Sequence, residues 1–269
     1  MKFQILTHTN RRDVSIFLWF AVMLIAGHNY WGVETGLAEE ILFQTESYRA
    51  ELGGDAVWRS LVDQETSRSL LEADRSTSFA YLQLDGKSYT ADSARRYGDQ
   101  LVLGFSDVDT HLEYVIEQTD HWITFRLDCV LGTRPQRIAF LRIGVALTEH
   151  VGLHLNGTWD ERTAVVVRGA NRQTLCRSVV RSDSAELTAS CQDEPGPPLE
   201  GSAASLLVVP TQELKTVMGL YAEEYGLPRN MTVEGLASKD SDMARGSYWF
   251  LNFSSSKKRT IQPCAVSCL

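Results

Sequence analysis

The 269-residue chain is short of the features that announce most enzymes and nucleic-acid binders. Lysine and arginine number 26 against 34 aspartates and glutamates, giving a net charge of −8 and a pI near 5.3. A broad nucleic-acid footprint is therefore excluded, and adsorption to an anionic membrane surface is disfavoured. No Gly-x-Ser-x-Gly elbow occurs, which removes the usual α/β-hydrolase nucleophile, and the six histidines form no His-Glu-x-x-His zinc site. Walker A and Gly-x-Gly-x-x-Gly sequences are also missing, so no cofactor is expected. There is no internal repeat and no long low-complexity tract. At 43% hydrophobic and 22% charged residues the composition is that of a globular protein, with core enough to fold without staples.

What the chain does have begins at its N-terminus. Lys2, Arg11 and Arg12 precede Val14–Gly27 (VSIFLWFAVMLIAG), in which Ser15 is the one polar side chain. As a helix this run spans about 21 Å, against a hydrocarbon core of about 30 Å. It is short for a spanning helix and suits the apolar region of a secretory signal. Gly36 and Ala38 supply small residues for cleavage before Glu39. A retained signal-anchor is the alternative reading, with Tyr30 and Trp31 at the interface; a membrane partner is expected only in that case. Export places Cys129, Cys176, Cys191, Cys264 and Cys268 in an oxidising compartment. There Cys176 and Cys191 could bridge two strands, or Cys129 and Cys176 could be small buried hydrophobes.

After residue 38 the hydrophobic period is mostly two, the signature of half-buried strands. Tyr48–Leu52 alternates, Gly53-Gly54-Asp55 turns, and Val57–Val62 returns. Further strands are expected at Phe79–Leu84, Leu101–Phe105, Leu112–Gln118, Trp122–Val130, Ile138–Leu147, Val151–Leu155 and Thr163–Arg168, with Asp85-Gly86 as a turn. Short strands at this spacing predict an antiparallel β-sandwich. Gln192–Gly201 (QDEPGPPLEG) is a loop. Beyond it Ser205–Val209 reads as a strand. A helix follows, whose apolar face carries Leu214, Val217, Met218, Tyr221 and Tyr225, with Thr211 as its cap and Gly226 as its stop.

Candidate chemistry is sparse. Asp107-Val-Asp109 reads as a solvated turn and supplies too few ligands for calcium. His150 and His154 would lie about 13 Å apart along a strand, too far to share a metal. Cys264 and Cys268 have no partner pair for zinc. No catalytic or metal residues are assigned. Sugar-binding sandwiches place exposed aromatic rings beside Asn and Asp, and Asn156-Gly-Thr-Trp159-Asp160 offers such a set. Asn156, Trp159 and Asp160 are thus the candidate sugar contacts, the alternative being that Trp159 packs over a sheet edge. Trp58 and Trp122 read as core. Asn156, Asn230 and Asn252 begin glycosylation sequons.

Two stretches carry a family resemblance. Tyr48–Leu71 (YRAELGGDAVWRSLVDQETSRSLL) resembles the opening hairpins of large β-sandwich domains in carbohydrate-active enzymes. Arg245–Phe253 (RGSYWFLNF), after the strand–helix unit Ser205–Tyr225, resembles the junction in exported bacterial glycoside-hydrolase-like proteins where the sandwich meets a (β/α)8 barrel. The resemblance implies a sandwich that packs against that barrel and helps shape its sugar cleft. Only sixteen residues follow Phe253, whereas a barrel takes about 200 or more. This departure predicts a non-catalytic domain without its barrel, a truncated product with a frame change near Phe253.

The expected organisation is a signal peptide or anchor over 1–38, a β-sandwich over 39–192 and a Pro/Gly loop over 193–200. A strand–helix–strand unit over 201–253 and a polar tail over 254–269 complete it. The fold is expected to be mainly β, an antiparallel sandwich with one appended strand–helix unit and an N-terminal hydrophobic helix. Its expected partners are a carbohydrate and a catalytic barrel. A self-sufficient carbohydrate- or partner-binding module is the competing expectation.

Overall fold

The computed structural model describes residues 40–73, 76–193 and 198–227. The apolar stretch Val14–Gly27, the cleavage site, the Arg245–Phe253 segment, Cys264, Cys268 and the sequons at Asn230 and Asn252 lie outside the described residues. The described chain is mainly β, with antiparallel sheets and one helix.

One layer is an eight-stranded sheet. It contains β7 (Ser93–Tyr97), β8 (Gln100–Phe105), β9 (Thr110–Gln118) and β10 (Trp122–Gly132), together with β12 (His150–Gly152), β13 (Gly157–Trp159), β14 (Thr163–Gly169) and β17 (Ala203–Pro210). Their order is β12-β13-β14-β17-β10-β9-β8-β7. The strand beyond the Pro/Gly loop is therefore central, inserted between β14 and β10. The facing layer is split. Its first part is β1 (Ile41–Gln44), β2 (Tyr48–Leu52), β3 (Trp58–Asp63) and β4 (Arg68–Ser69). Its second is β15 (Leu175–Val180), β16 (Ala185–Gln192), β11 (Arg137–Val145), β5 (Tyr81–Leu84) and β6 (Lys87–Thr90), in that spatial order. Single bridges, Val57 to Ser78 and Leu71 to Val145, join the two parts.

Alternation decides which residues fill the space between layers. Leu101 and Leu103 on β8, Leu112 and Tyr114 on β9, Ile123, Phe125 and Leu127 on β10 all point inward and are buried. Phe79 sits among rings, 5.3 Å from Trp58, 5.8 Å from Tyr114 and 5.1 Å from Phe125, the last two edge-on. Such pairs add about 0.5–1.5 kcal/mol each beyond their buried area. Trp58 and Trp122 are core residues, as expected from their strand positions. The Asp85-Gly86 turn has positive φ at both central residues, 50° and 75°, the twist a two-residue hairpin needs.

The helix α1 (Leu214–Glu224) lies on the outer face of the eight-stranded sheet, making a third layer. Its stripe of Leu214, Val217, Met218, Tyr221 and Tyr225 packs over Trp122, Ala164, Val166 and Leu207. Gly226 ends it at φ 56°, donating to Glu223 O at 3.2 Å while Leu227 N donates to Ala222 O at 2.9 Å. That is a Schellman stop.

Three local expectations are corrected. Thr211 does not cap the helix: β17 runs through Pro210, the helix starts three residues later, and Thr211 Oγ1 instead donates to Asp160 O at 2.8 Å. The strand at Val151–Leu155 is only His150–Gly152, because residues 153–156 turn. Cys176 and Cys191 are free thiols. Register places Cys176 opposite Ala189, so Cys191 is a diagonal neighbour about 7–8 Å away, outside the ordinary disulfide span. Burial pushes the Cys191 thiol up to about 11 and raises that of Cys176, which disfavours the thiolate at both.

Candidate functional site

Of the three expected sugar contacts, Asn156 is buried, whereas Trp159 and Asp160 are half-buried and engaged with neighbouring residues. Asn156 stands at φ 55° in the turn before β13, which swings its amide inward, and it is fully buried. Its Nδ2 donates to Val167 O at 2.7 Å and Thr188 O at 3.3 Å, tying the two layers together. Nothing of this side chain faces solvent, so the sequon there presents no accessible nitrogen in the folded chain. Trp159 is half-buried over the edge strand β12, where a Cβ on Gly152 would come within 2.9 Å of its ring. It stacks 5.8 Å from the His150 ring. This is the sheet-edge packing given as the alternative.

Asp160 holds the turn into β14. Its Oδ1 accepts from Arg162 N and Thr163 N, both at 2.8 Å, and its Oδ2 pairs with the Arg68 guanidinium. Burial opposes its ionisation, but the Thr163 N–H, Arg68 and the Arg162 N–H outweigh burial and hold the carboxyl below its usual range. Asp107 and Asp109 lie in the exposed turn expected for them. Among the described residues no group of three His, Cys, Asp or Glu side chains is placed to hold a metal.

A cavity lies elsewhere among the described residues, where the split layer parts. After β4 the chain touches the end of β11, with Ala146 N donating to Leu70 O at 2.9 Å and Glu72 N to Gly144 O at 3.3 Å. It then crosses back to β3, where Trp58 N donates to Thr77 O at 3.1 Å. Between these two footholds is a cleft of about 360 Å³, lined by Trp58, Arg59, Ser69, Glu72, Ser76 and Thr77. Trp58 forms its apolar wall, fixed by its Nε1 donating to Arg142 O at 2.7 Å. Gly144 also lines it. A Cβ there would lie 2.5 Å from Thr77 Oγ1 and 3.2 Å from Glu72 Oε2, so the missing side chain lets both polar groups approach the strand. Asp55 holds the Arg59 guanidinium at 2.5 Å.

Chemically the cleft offers three hydroxyls, a guanidinium and a carboxylate beside an indole. These are donors and acceptors suited to a polyhydroxylated ligand. Paired-acid glycoside hydrolysis needs two facing carboxyl groups; Glu72 is the one carboxylate among the described lining residues. The sequence reading passed over this site. Its signal is the polar run Glu72–Ser78, interposed where neighbouring segments alternate. No protein-family model and no curated protein matches the chain.

Proposed function

We propose that this chain is an exported, non-catalytic β-sandwich domain of a glycoside-hydrolase-like protein, and that it holds carbohydrate in the cleft between its split sheets. The observation that carries this reading is the cleft's lining: Arg59, Glu72, Ser69, Ser76 and Thr77 beside the Trp58 ring. Export rests on Val14–Gly27, which serves as a signal or, if retained, as an anchor. The second reading, a self-sufficient carbohydrate-binding module, uses the same cleft and differs in needing no barrel.

The test is a glycan array probed with the full chain and with Arg59→Ala and Thr77→Val. Each lost hydrogen bond to a bound sugar is worth about 1.4 kcal/mol, or roughly tenfold in affinity. Both variants should lose about that much signal while remaining folded. Binding that survives both but disappears in Trp159→Ala would move the site to the β12–β13 edge. Absence of any retained glycan would refute the carbohydrate reading.

A further inference from the structure

Among the described residues, most edge strands of the sandwich are short or sealed. Ala94 N on β7 donates to Gly54 O at 2.8 Å, and Arg96 Nη1 donates to Leu42 O on β1 at 2.6 Å. Gln118 Nε2 covers Gln44 O, further along β1. Strands β4 and β12 offer only two and three residues, and β6 four. β15 is different. It is the longest edge strand among the described residues, at six, and it carries three exposed large apolar side chains, Leu175, Val179 and Val180. Such an edge is a template for another strand.

The register with β16 fixes which backbone groups lie open. Arg181 N donates to Ser184 O at 2.8 Å across the hairpin turn. Alternation from that pair turns the N–H and C=O groups of Leu175, Arg177 and Val179 toward β16. Those of Cys176, Ser178 and Val180 point the other way, along the open edge. The side chains of these three lie on the core side of the strand, where Ser178 Oγ is buried with no hydrogen-bond partner among the described residues. Both ends of the strand are held. Thr174 Oγ1 donates to Ala203 O at 3.0 Å, and Arg181 pairs with Glu186 at 3.4 Å. An edge ordered in this way loses little freedom when a strand is added.

We propose that β15 pairs antiparallel with β15 of a second copy of this chain, joining the two five-stranded sheets across a two-fold axis at Ser178. The strand's own sequence selects this register. With Ser178 opposite Ser178, Cys176 faces Val180, and each of these pairs exchanges both backbone bonds. The two orphaned hydroxyls then meet, each supplying the partner that the single chain lacks. On the outer face Arg177 stands opposite Val179 and Leu175 opposite Arg181, so arginine stems cover the exposed apolar groups. Sliding the partner by two residues in either direction sets Arg177 directly against Arg177 or against Arg181, which like charge opposes. A slip of one residue faces open backbone groups with ones already bonded to β16. The strand is thus complementary to itself, as a two-fold contact requires, and this favours a second copy over an unrelated strand. The pairing does not depend on the carbohydrate reading, because the cleft lies at β3 and β11.

The experiment is sedimentation velocity of the full chain, dispersed in a mild detergent, with oxidative cross-linking of cysteine variants beside it. A ladder over Cys176–Val180 is smaller than a standard interface of about 1,200–2,000 Å², so a reversible dimer forming at roughly 10–100 μM is expected. Ser178→Pro removes an edge N–H that bonds nothing within the chain. The fold should persist by circular dichroism while dimerisation weakens by about tenfold or more. Ser88→Pro, at the edge of β6, should leave dimerisation unchanged. Across the two-fold the Ser178 Cα atoms stand about 5.5 Å apart, within the disulfide span. Ser178→Cys should therefore give a reducible covalent dimer above the background of the parent's own thiols. Val179→Cys should not, since its counterpart is displaced along the strand. Should the proline variant unfold, this cysteine pair decides alone. A chain that stays monomeric up to about 500 μM overturns the proposal. Association that survives a folded Ser178→Pro overturns it too, and places the contact at the apolar stretch Val14–Gly27 or on another surface. Equal cross-linking by Ser178→Cys and Val179→Cys overturns the register and the self-complementary pairing with it.

Discussion

Tyr48 and Tyr114 are both fully buried, yet only one has a use for its hydroxyl. Tyr48 Oη donates to Leu206 O at 2.7 Å across the layers, whereas Tyr114 Oη has no partner. Tyr48→Phe strands a buried carbonyl and should cost about 1–2 kcal/mol, while Tyr114→Phe removes an unsatisfied group and should be neutral or stabilising by up to about 1 kcal/mol. Urea midpoints at unchanged m-value measure both; a larger loss for Tyr114→Phe than for Tyr48→Phe contradicts the assignment. The same distinction limits what single residues reveal in a sequence. A polar turn is legible at Asn156–Asp160, but the direction of each side chain is not. A φ of 55° turns Asn156 inward, and Asp160 is claimed by Arg68, 92 residues earlier in the chain. Neither is a local property.

Strands were legible wherever one face is buried, because alternation then shows in the residue types. Tyr48–Leu52, Leu101–Phe105 and Trp122–Val130 announce themselves this way. Lys87–Thr90 and Ser93–Tyr97 do not: they are edge strands with mostly exposed side chains, so the pattern that reveals a strand is absent there. The helix was legible from its apolar stripe, but the polar device that seats it was not. Arg168 O accepts from Tyr221 Oη at 2.9 Å, which meets Ser205 Oγ at 3.0 Å. Ser205 Oγ meets Thr124 Oγ1 at 2.6 Å, and Thr124 Oγ1 meets Tyr225 Oη at 2.6 Å. This hydroxyl chain runs under α1 and fixes its position on β14, β17 and β10. Tyr221→Phe removes the link between Arg168 O and Ser205 Oγ, and with buried partners left unpaired it should cost about 1–3 kcal/mol. Leu220→Ala, one residue away but 46% exposed, should stay within about 0.5 kcal/mol. Chemical denaturation compares the two, and limited proteolysis after residue 213 should be faster in Tyr221→Phe alone. Equal losses would mean that the helix is held by apolar contact without help from the hydroxyls.

At the scale of the whole molecule the sandwich was readable and the split in its second layer was not. The split depends on where β4 ends and on single bridges to residues far along the chain, such as Leu71 to Val145; no local pattern encodes these. Ion pairs tie together segments far apart in the chain. Arg68–Asp160 joins the four-stranded sheet to the eight-stranded one, Arg142–Glu186 joins β11 to β16, and Arg134 grips Asp193 and Glu200 on either side of the Pro/Gly loop. Asp160 and Glu186 are opposed by burial, yet their partners prevail and hold both carboxyls below the usual range. Glu200 is lowered first by Arg134 itself. A carboxyl depressed in the folded state binds its proton more readily when unfolded. Its stability contribution is therefore complete above the unfolded value of about 4 and is lost as pH falls through the folded value. The urea midpoint should be level from about pH 7 to 5 and fall below about pH 4, where these groups protonate. Asp160→Asn should lower the plateau and flatten the fall, because one of the titrating ties is already absent. A variant curve running parallel to the parent's at every pH would show that Asp160 takes no part in the acid response. Raising salt should shrink the share of Arg134, whose side chain is 43% exposed, more than that of Glu186, 14% exposed between two arginines.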